Sequence, residues 1–114
     1  MDPTETNQQT WLAIRHPHLD KLKEAPGGQL EVKAGRKSLC LAKIFDDWYA
    51  TDLLCPHMEA PLSRGKVTAE GQIVCPWHQY VFDLKTGACK EVESLTLKTY
   101  PVKLEGDEVL VLLD

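Results

Sequence analysis

The sequence predicts an all-β fold, arranged as an antiparallel sandwich or incomplete barrel. Short apolar or alternating runs recur along the chain, and turn residues such as Gly, Pro and Asp separate them. The only helical candidate is the short segment Leu19–Glu24, which Pro26 and two glycines follow. Strands this short and this evenly separated are typical of small antiparallel domains.

The N-terminal half contains the longest predicted strand, residues 38–45, which is mostly apolar. Asp46 and Asp47 are predicted to form the hairpin turn after it, because Asp tolerates the left-handed backbone conformation. Residues 34–37 form an earlier turn. The strands predicted in this half are residues 10–14, 29–33, 38–45 and 48–53.

The C-terminal half ends in a predicted hairpin whose turn is formed by residues 105–107. A second turn is predicted at residues 85–87, where Gly follows Thr. The strands predicted in this half are residues 72–74, 80–83, 98–104 and 108–113.

Length and composition predict one ordinary globular domain. A chain of 114 residues with 43% hydrophobic and 26% charged residues can build a core, but it has no room for a second catalytic domain. The net charge of −4 argues against a nucleic-acid partner, and no apolar run approaches membrane-spanning length. Residues 1–9 have neither the basic nor the apolar region of a secretory signal, so we expect a cytoplasmic protein with reduced cysteines.

Two short motifs carry the chemistry of the chain. One residue separates Cys55 from His57, and two residues separate Cys75 from His78. Two loops that each offer one thiolate and one imidazole can close on a single metal centre. The order Cys, His, Cys, His allows both thiolates to hold one iron and both imidazoles to hold another, which is the ligation of a Rieske [2Fe–2S] cluster.

This ligand set predicts one-electron transfer at a raised reduction potential. Replacing two thiolates by neutral imidazoles removes two negative charges from around the irons, so an added electron costs less. The potential rises from roughly −400 mV to between about −150 and +300 mV. Nothing in the motifs themselves binds or transforms an organic substrate.

Zinc is the main alternative, because two Cys and two His are also a zinc ligand set. Zinc sites usually pair Cys with Cys and His with His, whereas each half here mixes the two and places Pro after the Cys. The mixed pairing favours the iron–sulfur interpretation.

The chain resembles the small Rieske ferredoxins, a family that includes the small subunit of NAD(P)H-dependent nitrite reductase. The resemblance covers nearly the whole chain after residues 1–9, which we expect to be a flexible tail. It implies a single domain over residues 10–114, with three small antiparallel sheets and a cluster-binding tip formed by two loops within about residues 53–90. The motifs that carry it are Cys55-Pro56-His57, Ala60-Pro61-Leu62, Cys75-Pro76-Trp77-His78, Phe82-Asp83, Thr86-Gly87 and Tyr100-Pro101-Val102.

The resemblance assigns Cys55 and Cys75 to an inner iron, and His57 and His78 to an outer iron near the surface. It also implies a low-potential cluster. High-potential relatives join the two loops by an extra disulfide, but the corresponding positions here are Ala60 and Trp77.

Other positions near the motifs also differ from relatives. High-potential members place hydroxyl donors where this chain has Tyr80 and Phe82, and Phe82 has no donor. Many members have Gly where this chain has Glu59 and Gln79, which would be strained if those positions require a positive φ. We expect Glu59 to face solvent rather than the cluster.

The remaining cysteines and histidines are predicted to have no ligand role. Cys40 and Cys89 are expected to be buried, with a smaller chance that Cys89 lies close to the cluster. His16 and His18 are expected to be an exposed pair.

Three functions remain open, and the presence of all four predicted ligands counts against the third. The first is an electron carrier from a flavin-dependent reductase to a terminal oxygenase, and the second is a subunit of nitrite reductase beside its large subunit. The third is a zinc-bound or metal-free binding module. The chain by itself is expected to be an electron-transfer component rather than a catalyst, because an oxygenase needs a further mononuclear iron site and a domain to hold it.

Overall fold

The computed structural model describes residues 10–56, 59–77 and 79–113. They form three small antiparallel sheets, which confirms the predicted fold class. The helices are α1 (Leu19–Glu24) and the 3-10 helix η1 (Leu62–Arg64). The strands are β1 (Trp11–Ala13), β2 (Gly27–Ala34), β3 (Lys37–Ile44), β4 (Asp47–Asp52), β5 (Lys66–Thr68), β6 (Gln72–Val74), β7 (Val81–Asp83), β8 (Thr99–Tyr100), β9 (Val102–Glu105) and β10 (Glu108–Leu112).

The sheets are ordered β1-β10-β9, β2-β3-β4-β8 and β5-β6-β7. The first brings the beginning and the end of the described chain together, and the last carries the second cysteine motif. Pro101 divides the predicted strand 98–104, because β8 pairs with β4 whereas β9 pairs with β10. Proline lacks the N–H that a continuous ladder requires, so the chain changes sheets at that residue.

Strand β3 lies between two cores and is buried on both faces over most of its length. Cys40, Ala42 and Ile44 pack into the core that also contains Cys55 and Cys75. The alternate residues Leu39 and Leu41 pack into a second core beside α1, β1 and β10. The side chains of a strand alternate between its faces, so a nearly continuous apolar sequence is what a strand between two cores requires.

Helix α1 has the predicted bounds, and its buried residues are Leu19 and Leu22. Its C-terminal end is capped by a lysine from β3. The ammonium group of Lys43 donates to the carbonyl oxygens of Lys23 and Ala25, each at 2.7 Å. The last carbonyls of a helix have no partner within the helix, so the buried Lys43 satisfies groups that would otherwise lose their hydration. No helix of the described residues is long and apolar enough to cross a membrane.

The predicted turn at Asp46 and Asp47 is wrong by one residue. Ile44 pairs with Asp47, so Phe45 and Asp46 form the turn and Asp47 begins β4. The long-range pairing of β2 with β3 sets this register, because Gly27 faces Ile44 and the N–H of Phe45 donates to the carbonyl of Pro26 at 2.6 Å. Phe45 therefore has a positive φ of 54°. The residue is 59% exposed, so this turn is set by the backbone pairing and not by burial of the ring.

The sequence prediction missed strand β5 and the helix η1. Both are short, and the sequence Leu62-Ser63-Arg64-Gly65-Lys66 has no clear alternation. Their formation depends on tertiary contacts: β5 pairs with β6, and the amide of Gln29 donates to the carbonyl of Ser63 at 3.3 Å and to that of Gly65 at 2.5 Å.

We expect Lys43→Met to lower the free energy of unfolding by about 2 kcal/mol, because two buried carbonyls lose a charged donor. Chemical denaturation followed by circular dichroism measures this. Lys90→Met, at an exposed position, is the matched control and should change the value by less than about 0.5 kcal/mol. Equal effects of the two substitutions would show that the helix end gains nothing from Lys43.

Candidate metal centre

The two cysteine motifs lie on loops of the same size that are closed by the same hydrogen bond. The N–H of Cys55 donates to the carbonyl of Ala60 at 2.8 Å, and the N–H of Cys75 donates to the carbonyl of Tyr80 at 2.8 Å. In each loop the acceptor lies five residues after the Cys (55 to 60 and 75 to 80). The two loops are thus local structural repeats, although their His residues occupy different positions within them.

Each loop closes through a residue with left-handed backbone. Glu59 and Gln79, which directly precede the two carbonyl acceptors, both have φ of 56°. These are the positions at which the resemblance led us to expect Gly, and the positive φ that would strain a side chain there is confirmed. Both side chains are exposed, which also confirms that Glu59 faces solvent. A residue with a Cβ pays about 1–2 kcal/mol in this conformation, and loop closure must offset it.

The first loop extends from the end of β4. The carbonyl of Leu53 accepts the N–H of Leu62 at 2.7 Å, and Leu54 forms a β-bridge with Pro61, so both legs of the loop are held together. The buried Leu62 then begins η1 and anchors the returning leg in the core.

Gly65 precedes β5 and lies against β6, the strand that leads into the second loop. A Cβ on Gly65 would lie 2.0 Å from the carbonyl oxygen of Val74, the residue before Cys75. Only Gly allows the two backbones to approach so closely. The sequence analysis did not identify Gly65, since its role depends on a neighbour from β6.

The thiols of Cys55 and Cys75 are buried neighbours in one core. The pKa of the Cys75 thiol is raised to about 11, chiefly by burial and also by the neighbouring Cys55, against the lowering effect of the Trp77 N–H. That N–H lies 3.4 Å from the sulfur of Cys75. Without a cation, the Cys75 sulfur at neutral pH therefore holds its proton.

This pair fits the thiolate half of an iron–sulfur site. Two adjacent sulfurs are shielded from water, and a backbone N–H is directed at one of them, as such centres require. The predicted ligands His57 and His78, and also Met58, lie outside the described residues, so the imidazole half stays a prediction. Within residues 10–56, 59–77 and 79–113 there is no group of three or more potential metal-binding side chains.

A family model describing the Rieske [2Fe–2S] domain matches residues 11–101. The chain belongs to the Rieske family. It is 42% identical over 93 residues to the ferredoxin component of the naphthalene 1,2-dioxygenase system of Pseudomonas aeruginosa, a match that covers 79% of this chain and 88% of that protein.

Solved structures of Rieske proteins share the fold. A chain from the complex of reduced oxygenase and oxidised ferredoxin in carbazole 1,9a-dioxygenase is 28% identical, with a TM-score of 0.75 over 92% of this chain and 94% of that one. A putative NADH-dependent nitrite reductase small subunit from Mycobacterium tuberculosis has a TM-score of 0.79 over 94% of this chain and 97% of that one. At 21% identity, the second likeness is one of fold alone.

The surroundings of the Rieske cysteines agree with the features predicted for a low-potential member. All four cysteines are free, so no disulfide joins the loops. Phe82 is fully buried in the core around Cys55 and Cys75, and Tyr80 packs against the same core. Trp77, in the second loop, is 57% exposed.

Gly87 ends the turn that follows β7, the strand after the second Rieske loop. Asp83 accepts the N–H groups of Lys85 and Thr86 at 2.8 and 2.9 Å, which forms the predicted turn. Gly87 then adopts φ of 82°, and a Cβ there would lie 1.9 Å from the carbonyl oxygen of Leu97. The Phe-Asp and Thr-Gly pairs noted in the sequence are thus one turn that fixes the chain after β7.

The other cysteines and histidines of this Rieske domain have structural surroundings. Cys40 is fully buried in β3, where desolvation raises its pKa to about 12. Cys89 is buried, and its sulfur lies 3.7 Å from a carboxylate oxygen of Glu91. His18 is exposed and His16 is half-buried, and the backbone N–H of His18 donates to Nδ1 of His16 at 2.9 Å.

We expect Glu59→Gly and Gln79→Gly each to raise the free energy of unfolding by about 0.5–1 kcal/mol, because Gly adopts the required positive φ without strain. Thermal and chemical denaturation measure the change. Glu93→Gly is the matched control: this exposed residue has no positive φ, so the same substitution there should destabilise the protein. Destabilisation by all three substitutions would mean that the side chains at 59 and 79 contribute more than their backbone strain costs.

Proposed function

We propose that this chain is a ferredoxin that holds one [2Fe–2S] cluster and passes single electrons from a flavin-dependent reductase to a terminal oxygenase. Cys55 and Cys75 would hold the inner iron, and His57 and His78 the outer iron. The observation that carries the proposal is that the thiols of Cys55 and Cys75 are buried neighbours, on two loops closed by the same backbone hydrogen bond. The 42% identity to a dioxygenase ferredoxin component supports the assignment to this class of electron carrier.

A bound cluster would accept and release one electron at a time. The protein's part is to hold both sulfurs in a dry site, since Leu62, Ile73 and Phe82 pack around them and are fully buried. The N–H of Trp77 is directed at the Cys75 sulfur and would stabilise negative charge there. The exposed Trp77 side chain is placed to contact a partner at the same tip.

The nitrite reductase alternative has less support, because the similar structures of such subunits are only 21% and 28% identical to this chain, against 42% for the dioxygenase ferredoxin component. Gene neighbours separate the two functions. We expect an oxygenase and a flavin reductase beside the gene of this chain, and a large nitrite reductase subunit there instead would favour the alternative. We also propose a cytoplasmic location, where a reducing environment would keep the four free cysteines reduced.

For the ligands, we expect two irons and two acid-labile sulfides per chain, with a rhombic EPR signal after reduction. Cys55→Ser, Cys75→Ser, His57→Ala and His78→Ala should each prevent or strongly impair cluster assembly. Cys40→Ser and Cys89→Ser should leave the visible spectrum intact, because these residues belong to the protein core. Purified chain that contains zinc, or no metal, would favour the binding-module alternative.

For the potential, we expect a midpoint of about −150 mV, the low end of the Rieske range. The reason is that no disulfide joins the loops and that Phe82 has no hydroxyl to donate to a sulfur. Protein-film voltammetry at neutral pH measures the midpoint. Phe82→Tyr should raise it by tens of millivolts if the new hydroxyl reaches a sulfur, with Phe45→Tyr as an exposed control. A midpoint above zero in the unmodified protein would contradict the low-potential assignment.

A further inference from the structure

A cleft of about 490 Å³ opens directly beside the second ligand loop. It is bounded on one side by the segment that follows η1 and on the other by the end of β6 and the loop itself. The cleft extends to Cys75, so a group bound in it would lie directly beside the loop that carries this proposed ligand. Its lining residues are Arg64, Gly65, Lys66, Val74, Cys75, Pro76 and Gln79.

The charged groups of this cleft are both cationic. Arg64 and Lys66 are exposed, and no carboxylate is among the described residues that line the cleft. Within the part of the chain that the structure describes, neither residue forms an ion pair, as is true of most of the described lysines and arginines. A chain with a net charge of −4 thus presents two adjacent unpaired cations beside its proposed cluster.

The backbone holds these two cations in place. The N–H of Arg64 donates to the carbonyl of Pro61 at 3.1 Å, and Lys66 pairs with Val74 at the start of the β5–β6 ladder. Between them, Gly65 is fixed by its close approach to the Val74 carbonyl. Only the side chains of Arg64 and Lys66 remain to be ordered, so an anion that binds them meets a largely preformed site.

We propose that this cleft is the docking point for a carboxylate-bearing segment of the protein that exchanges electrons with this chain. The inference rests on the proposed function and adds the chemistry of the partner. Arg64 can bind a carboxylate through two parallel hydrogen bonds, and Lys66 adds a second positive charge next to it. Opposite charges beside the ligand loop speed association and orient the partner, whereas the chain as a whole repels an acidic protein.

The test uses the dithionite-reduced, cluster-loaded chain in stopped flow, with ferricyanide or hexaamminecobalt(III) as oxidant. Each ion removes one electron from the reduced cluster, so the trianion and the trication report the sign of the local potential. At low ionic strength, Arg64→Gln combined with Lys66→Gln should slow ferricyanide several-fold and speed the cobalt complex. Both differences should shrink as salt screens the charges.

The matched control is Lys21→Gln combined with Arg36→Gln, which removes the same charge from exposed positions on α1 and on the β2–β3 turn. Its rates should change less than about twofold. Equal effects of the two double variants would mean that net charge governs the rates, and the inference would be wrong.

Polyglutamate serves as the carboxylate probe. It should slow ferricyanide oxidation of the unmodified chain at low salt and have little effect on the Arg64 and Lys66 double variant. A loss of inhibition only in the control variant, or stronger inhibition by inorganic phosphate at equal charge, would overturn the assignment to carboxylates. A chain that assembles no cluster would instead refute the proposed function. A cluster-loaded chain with the expected midpoint potential, whose oxidation rates do not respond to the Arg64 and Lys66 substitutions, would refute this inference alone.

Discussion

The site depends on one repeated interaction: the main chain of each ligand cysteine is bonded to the carbonyl five residues further on. This bond turns each loop back on itself and points the sulfur inward. Because both loops obey the same geometry, the thiols of Cys55 and Cys75 meet without any covalent link between the loops. The positive φ at Glu59 and Gln79 is the conformational cost of that closure.

Loop closure positions the two cysteines only if the strands that carry the loops are themselves rigid. Strand β3 provides this support because its two faces belong to different cores, one around the cysteines and the other around α1. Close backbone approach at Gly65 then fixes the first loop against β6. The metal site is consequently held by packing and by backbone contacts, and its side chains need few hydrogen bonds of their own.

The sequence predicted most of the architecture because local patterns were strong. The helix Leu19–Glu24 and the strand β6 have their predicted bounds, and the paired Cys and His spacing identified the two sulfurs that the structure brings together. The turn at Phe45 could not be located, because the register of β2 against β3 decides it. The role of Gly65 and the equivalence of the two loops likewise arise from contacts between distant segments, while the two His ligands stay predictions.

The pairing of β1 with β10 places Trp11 opposite Leu112, so the chain enters and leaves the described domain at neighbouring points. Val109 and Val111 of their sheet pack into the core beside α1, which shares no residue with the core around Cys55 and Cys75. A domain with this arrangement can be spliced into a longer polypeptide, or tethered to a surface through either end, without disturbing the loops. The same module is therefore suited to serve as a diffusing carrier or as a built-in relay of a larger protein, according to what is joined to its ends.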